Sequence, residues 1–346
     1  MTRSVGPSVV LIVDEITKVG EARRRSIELA ARFGFDEEGQ GKVALVVTEA
    51  ATNLVKHSGG GQLILEGLDD GSGESHLEIL TVDSGQGMSD LSRCMADGYS
   101  SAGSPGTGLG AISRFADRLE IYSEPGKGTI LWARLVPEPA SKNVDVPTLE
   151  LGVVRVSAPG ELVCGDDWAT IERDGKSLIM MVDGLGHGAA AADAAEEAVG
   201  AFLGQRSFEP AEILESIHRS IRGTRGAALA IVRIDPAGGH VRCAGVGNIS
   251  SVILDTTTGE TKSMVSLNGT VGHSIRKVQS FDYPWAQDAV LLMHSDGMAT
   301  HWNVDRYPGI MRRHPSLLAG ALYRDHARGR DDVTILVASY ERGGRT

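Results

Sequence analysis

Four short acidic motifs in the second half of the chain have the makings of a metal centre. VCGDDW holds Asp166 and Asp167, MMVDGLGHG holds Asp183 and Gly184, LLMHSDGMA holds Asp296, and GRDDVTILV holds Asp331 and Asp332. Each aspartate stands where an apolar run begins or ends, so a sandwich of strands would gather them at one rim. Carboxylates converging in this way repel one another unless cations sit between them, and an all-oxygen ligand set favours Mg²⁺ or Mn²⁺ over zinc. Two such ions can activate a water and clamp a phosphoryl group for in-line attack. One Asp-Gly pair alone is ordinary turn chemistry, but that does not explain four acidic motifs in this order. Because side chains alternate along a strand, only one of Asp166 and Asp167, and one of Asp331 and Asp332, can face inward. The spacing leaves both choices open. His187 fits a helix start, and Cys164 fits a core position.

The stretch LIMMVDGLGHGAAAA also admits a nucleotide reading, since Gly184, Gly186 and Ala189 match G-x-G-x-x-A between a strand and a helix. A dinucleotide site would need an acidic residue at the end of the next strand to hold ribose. The chain instead runs GQRSFEPAEILESI after the helix. Asp183 is therefore the point of the stretch, and its glycines let backbone approach a ligand.

The first half carries a different set. In TEAATNLVKHS, Glu49, Asn53 and His57 recur every four residues and share one helix face. A carboxylate and an amide on one stripe can hold a water and a Mg²⁺ ion. TVDSGQGMSD ends a strand at Asp83 and puts Gly85 and Gly87 in the turn. There a carboxylate can accept from an adenine amino group. DGYSSAGSPGTGLGAISRF places Gly106, Gly108 and Gly110 just ahead of a helix, where unpaired amides suit phosphate. No G-x-x-x-x-G-K-[ST] occurs, which excludes a Walker-type site.

Glu-x-x-x-Asn on a helix, Asp-x-Gly-x-Gly after a strand, a glycine-rich loop before a helix and then GKGT together resemble the GHKL ATPase superfamily. Within it, residues 8 to 136 are most similar to the RsbT-like anti-sigma-factor serine/threonine kinases. The resemblance implies that Asn53 binds Mg²⁺ and that Glu49 acts as base or orients the attacking hydroxyl. It implies that Asp83 binds the adenine of ATP, with Gly85 and Gly87 shaping the pocket and Thr129 closing its side. Gly106, Gly108 and Gly110 would form the lid over the phosphates. A sensor histidine kinase would need a phosphoacceptor histidine on a preceding helix, and no histidine precedes His57.

The order GDD, VDGLGHG, AGVGN, SDG, GRDDVTILV over residues 149 to 340 resembles the metal-dependent PPM-type phosphatases, in particular the SpoIIE- and RsbX-like branch that acts on phosphoserine proteins. By that resemblance Asp183 bridges two Mn²⁺ or Mg²⁺ ions and the Gly184 carbonyl reaches one of them. Asp296 and Asp331 would complete one ion, and Asp166 would serve the other directly or through water. A kinase and a phosphatase on one chain imply partner switching, with a STAS-domain antagonist of an anti-sigma factor as substrate and sigma-factor activity as output. The alternative is a first domain that sequesters a partner, with ATP as a conformational ligand and the phosphatase as sole catalyst.

These sites need elements to hold them. The 346 residues suffice for two domains, and 41% hydrophobic with 23% charged residues suits buried cores. LVPEPASKNVDVPTLELG has three prolines and no amphipathic period. It divides the chain into a domain over 1–136, a linker over 137–148 and a domain over 149–346. The first reads as helices over one face of antiparallel strands, an α/β sandwich of α+β type. The second reads as a β-sandwich flanked by helices. The net charge of −11 argues against nucleic acid and anionic membranes as partners. Cys94, Cys164 and Cys243 form no C-x-x-C pair, which suits a reducing cytoplasm. VVLIV is broken at once by Asp14 and Glu15 and reads as a strand rather than a leader. The sequence leaves the oligomeric state open.

Overall fold

The computed structural model describes residues 2–4, 8–69, 75–91, 108–137 and 149–340. Gly106, Cys94 and most of the linker expected over 137–148 lie outside them. The chain divides into two compact units, Val5–Lys142 and Met1–Ser4 with Asn143–Thr346. The first strand, β1 (Thr2–Ser4), thus belongs with the second unit, where it pairs with residues 169–170.

The first unit contains β2 (Val9–Val13), α1 (Ile16–Arg32), α2 (Glu37–Ser58), β3 (Gly61–Asp69), β4 (Ser75–Val82), α3 (Gly108–Phe115), β5 (Arg118–Glu124) and β6 (Gly128–Leu135). Its sheet runs β2-β3-β4-β6-β5, antiparallel throughout. α2 starts where the Asp36 carboxylate accepts from Gly39 N at 2.7 Å, with Glu37 and Glu38 favourable at the positive end of the helix. It stops at Gly59, which takes the left-handed conformation most side chains avoid. Val43, Val47, Ala50 and Leu54 bury one stripe of α2 against Leu63, Ile79 and Leu131 of the sheet. Glu49 and Asn53 lie off that stripe and are half-buried.

The second unit continues with β7 (Leu149–Val156), β8 (Asp166–Arg173), β9 (Lys176–Gly184), α4 (Ala189–Leu203), α5 (Pro210–Ser220), β10 (Ala227–Asp235), β11 (His240–Val246), β12 (Ser250–Leu254) and β13 (Thr261–Ser263). It ends with β14 (Gly269–Thr270), β15 (Ser274–Ile275), β16 (Phe281–Pro284), β17 (Val290–His294), α6 (Pro315–His326) and β18 (Val333–Tyr340). One sheet has the order β16-β11-β10-β9-β8-β1 and a second the order β13-β12-β17-β18-β7. Met180 and Val182 of β9 pack with Ala198, Phe202 and Leu214 of α4 and α5. Ile179 and Met181 point the other way by alternation and are equally buried, so both faces of this strand are covered. That double burial explains the unbroken run LIMMV, in which no polar residue alternates. ELVC, residues 161–164, is apolar enough for a strand, yet β8 begins only at Asp166. Residues 157–165 form a loop pinned by backbone-to-carboxylate bonds described below.

The helices-over-sheet first unit and the helix-flanked sandwich agree with the expected fold classes. No helix among the described residues is long and apolar enough to cross a membrane. α6 lies so close to β7 that a methyl group at Gly152 would sit 2.0 Å from Ser316 N. Gly152→Ala must therefore push helix from sheet, and a loss of about 1–3 kcal/mol is expected in urea unfolding. An unshifted midpoint would refute this packing.

Candidate functional site

In the second unit Asp166 opens β8 and Asp183 lies near the end of β9, directly opposite each other in register. Side chains opposite one another on antiparallel strands share a face. Asp296 follows β17, and Asp331 and Asp332 precede β18. The four motifs therefore meet at one rim. Asp166 is only 1% exposed, and its Oδ2 has no hydrogen-bond partner. Burial pushes its carboxyl above the ordinary range, the charges of Asp332 and Asp296 add to this, and the Ser295 and Thr334 hydroxyls oppose it. Asp183 is pushed up too, first by burial and then by Asp166, Asp296, Asp331 and Asp332. These shifts are the signature of carboxylates held together without compensating charge.

Strand alternation separates the two doublets. Asp167 turns away from Asp183, accepting from Arg155 Nη1 at 2.9 Å and Trp168 N at 2.9 Å. Asp332 is 3% exposed and accepts from Ala158 N at 2.7 Å and Gly165 N at 2.9 Å, which pins the 157–165 loop. Asp331 Oδ1 accepts from Asp332 N at 3.0 Å. Asp296 Oδ2 accepts from Asn248 Nδ2 at 2.8 Å. Among the described residues, no three acidic, histidine or cysteine side chains are already gathered round one ion position. The donor chemistry nevertheless fits a hard divalent cation: oxygen ligands only, one of them an orphaned buried oxygen, and mutual repulsion that a cation would relieve.

The loop after Asp183 is held by backbone. Gly184 N donates to Gly165 O and Leu185 N to Gly226 O, both at 3.0 Å. A side chain at Gly184 would meet Ala191 O at 2.2 Å, so α4 can approach only a glycine there. His187 Nδ1 lies 2.6 Å from Glu161 Oε1, a link between loops rather than a contact with the carboxylates. Cys243 is buried and Cys164 half-buried, and burial pushes both thiols up, which disfavours the thiolate at either.

In the first unit the Asp83 carboxylate accepts from Gly85 N at 2.8 Å and Thr129 N at 3.2 Å, while Asp83 N donates to Thr129 O at 3.0 Å. Thr129 Oγ1 lies 2.8 Å from Ser123 Oγ. Two segments distant in sequence, residues 83–85 and 123–129, thus meet. A methyl group at Gly85 would sit 2.6 Å from Ser58 Cα, and one at Gly87 would sit 2.0 Å from Glu124 O. Both turns are therefore closed to larger residues. A Cβ on Gly108 would lie 3.4 Å from Asn53 Oδ1 and 3.5 Å from Glu49 Oε2, so the start of α3 faces that pair. Gly110 is buried in α3. The positive end of a helix beside a carboxylate and an amide suits a metal-bound polyphosphate.

Sequence reasoning named neither Asn248 nor Ser295. Asn248 closes the AGVGN motif, and Ser295 holds β18 through Thr334 N at 3.0 Å. Ser295 adjoins Asp296 in sequence, and Asn248 lies just ahead of β12, the neighbour of β17 in the same sheet.

Two family models cover most of the described chain. A histidine kinase-like ATPase domain matches residues 12–135, and Stage II sporulation protein E matches residues 173–341. The chain thus joins a histidine kinase-like ATPase domain to a SpoIIE-type phosphatase domain. The serine/threonine-protein kinase RsbT of Bacillus subtilis (strain 168) is 32% identical over 117 residues, which are 33% of this chain and 87% of RsbT. The chain belongs to the RsbT family through its first unit and carries a SpoIIE-type serine/threonine phosphatase domain in its second.

Among solved structures, one described under the bacterial stressosome, "a modular system that has been adapted to control secondary messenger signaling", is 29% identical. It covers 55% of this chain and 99% of its own, with a TM-score of 0.52. The phosphatase domain with a regulatory fragment of Bacillus subtilis SpoIIE is 18% identical, covering 94% and 93% of the two chains at a TM-score of 0.46. Both families imply ATP and divalent metal ions as cofactors.

The raised carboxyls carry a stability consequence. In the metal-free protein the folded state binds more protons than the unfolded chain. The contribution of Asp166 and Asp183 to stability is therefore full only below the ordinary carboxyl range and is lost as the pH rises through their raised values. Asp183→Asn should raise the melting temperature of chelator-treated protein at neutral pH and weaken stabilisation by Mg²⁺ or Mn²⁺. Equal metal stabilisation in both proteins would contradict a cation site at Asp183. By contrast, Asp332→Ala strands two buried amides and should cost about 2–4 kcal/mol, whether or not metal is added.

Proposed function

We propose that the two units act in opposite directions on one regulatory pathway. The first would phosphorylate a serine or threonine of a STAS-domain antagonist protein with MgATP. The second would remove phosphate from that protein or a related one, so that their balance sets sigma-factor activity. The observation that carries this reading is the union, on one chain, of an RsbT-type domain with a buried rim of repelling carboxylates. The cysteine pattern is consistent with a cytoplasmic setting.

In the phosphatase, Asp183 and the Gly184 carbonyl would help hold two divalent cations, with Asp296 and Asp331 completing the set for one and Asp166 serving the other directly or through water. Divalent cations bound there would activate water and neutralise the phosphoryl oxygens. Asn248 keeps the Asp296 carboxylate oriented, and Asp332 fixes the loop that abuts Asp183. No side-chain nucleophile is needed.

In the kinase domain, Asp83 and Thr129 hold the adenine edge, with Gly85 and Gly87 allowing its close approach. Asn53 would hold the Mg²⁺ that accompanies the phosphates, and Gly108 and Gly110, at the start of α3, would lie over them. Glu49 accepts the proton of the attacking hydroxyl or orients it. Phosphoryl transfer asks mainly for positioning and charge neutralisation, which this set supplies.

Wild type should transfer label from γ-labelled ATP to a STAS-domain protein, and Asn53→Ala should lose at least about a hundredfold in rate. Absence of transfer by wild type would favour a sequestering domain that uses ATP only as a conformational ligand. Asp183→Asn should abolish metal-dependent turnover of p-nitrophenyl phosphate, and full activity in that variant would remove the metal assignment.

A further inference from the structure

The catalytic rim is acidic and the chain is acidic, yet one surface beside the rim is strongly basic. Residues 219–225 run from the last turn of α5 into β10. There Arg219, Arg222 and Arg225 are all exposed. The β14–β15 hairpin packs on this segment: Ala227 and Val271 exchange backbone hydrogen bonds, and Gly272 N donates to His218 Nδ1 at 2.9 Å. A side chain at Gly226 would meet His273 Cδ2 at 2.6 Å, so hairpin and segment are in direct contact. Arg276 and Lys277 leave the same hairpin and are exposed. The charges are close enough to act on one neighbour. His218 is held below its ordinary range by burial and then by Arg222, Arg219 and His273. Among the described residues, none of the five lysine and arginine side chains makes an ion pair.

The basic surface adjoins the catalytic loop. Leu185 N donates to Gly226 O, and a Cβ on Gly186 would lie 3.3 Å from Arg225 Nη1. Ala228, three residues after Arg225, is paired in register with Asp183. A guanidinium so placed lies within a few residues of the assigned metal ligand without being neutralised by it. Unpaired cations beside a phosphate-cleaving centre attract anions, and several on one rigid edge can bind an extended acidic segment rather than a lone phosphate.

Resting on the phosphatase reading above, we propose that residues 219–225 and 273–277 form a basic docking rim for the phosphorylated segment of the protein substrate. Arg225 contacts the phosphoryl group, and Arg222, Arg276 and Lys277 contact acidic residues flanking it. The rim thus selects phosphoserine or phosphothreonine sites in acidic surroundings. It also accounts for a cationic face on a chain whose net charge is −11.

The test compares two phosphoserine peptides, one with aspartate or glutamate flanks and one with neutral flanks, using the full chain with Mn²⁺ or Mg²⁺. Wild type should prefer the acidic peptide by about tenfold in kcat/KM, mostly through KM, and the preference should shrink as salt screens the contacts. Arg222→Glu/Arg276→Glu/Lys277→Glu should bring the ratio to about one. The exposed single change Lys277→Glu should lower it in the same direction, which guards against misfolding of the triple variant. Arg225→Ala should raise KM for both peptides, with partial recovery in Arg225→Lys. A ratio unchanged in the triple and single variants overturns the rim and leaves the phosphatase reading standing. No turnover of either peptide or of p-nitrophenyl phosphate by wild type removes that reading and the rim with it.

Discussion

The mutual repulsion of carboxylates at one end of a sandwich is the constraint on which the second unit is built. A buried carboxylate with an orphaned oxygen, as at Asp166, is costly unless it is protonated or meets a cation. The surrounding structure does nothing to relieve it with basic side chains, because Arg155 is turned to Asp167. It instead fixes the neighbours of the cluster through backbone amides and carbonyls and one side-chain amide. Asp332 takes two of them, Asn248 holds Asp296, and Gly165 and Gly226 hold the loop that follows Asp183. The charge is thus preorganised for cations and left unneutralised by the protein.

The first unit solves a different problem with similar means. It must bring a strand end, a helix face and a second helix start together. It does so by letting backbone approach backbone at Gly85 and Gly87, and by tying Asp83 to Thr129 across neighbouring strands. The apolar stripe of α2 fixes the rotation of that helix, and the rotation leaves Glu49 and Asn53 off the core. Packing energy, rather than any local contact of the two polar residues, therefore sets their direction.

Several features were legible in the chain itself. The periodicity of α2, the strand-end aspartates and the helix-over-sheet and helix-flanked sandwich classes follow from spacing and residue type. Asn248 and Ser295 escaped notice, since each acts through a partner distant in sequence or carries no motif of its own. The late start of β8 was also hidden. ELVC is apolar enough for a strand, but Asp332 draws the neighbouring amides into a loop.

What the sequence determined by itself was the inventory: which acids, amides and glycines are present, in which order, and on which kind of element. Order and spacing suffice for that because helices and strands have fixed periods. Only the tertiary structure decided between Asp166 and Asp167 as the residue facing Asp183. It also assigned Asp332 to the backbone and placed the basic segment around Arg225 beside the loop that follows Asp183. Those outcomes depend on register across strands and on which amide lies within reach of which oxygen. Such distances arise only when segments far apart in the chain pack together.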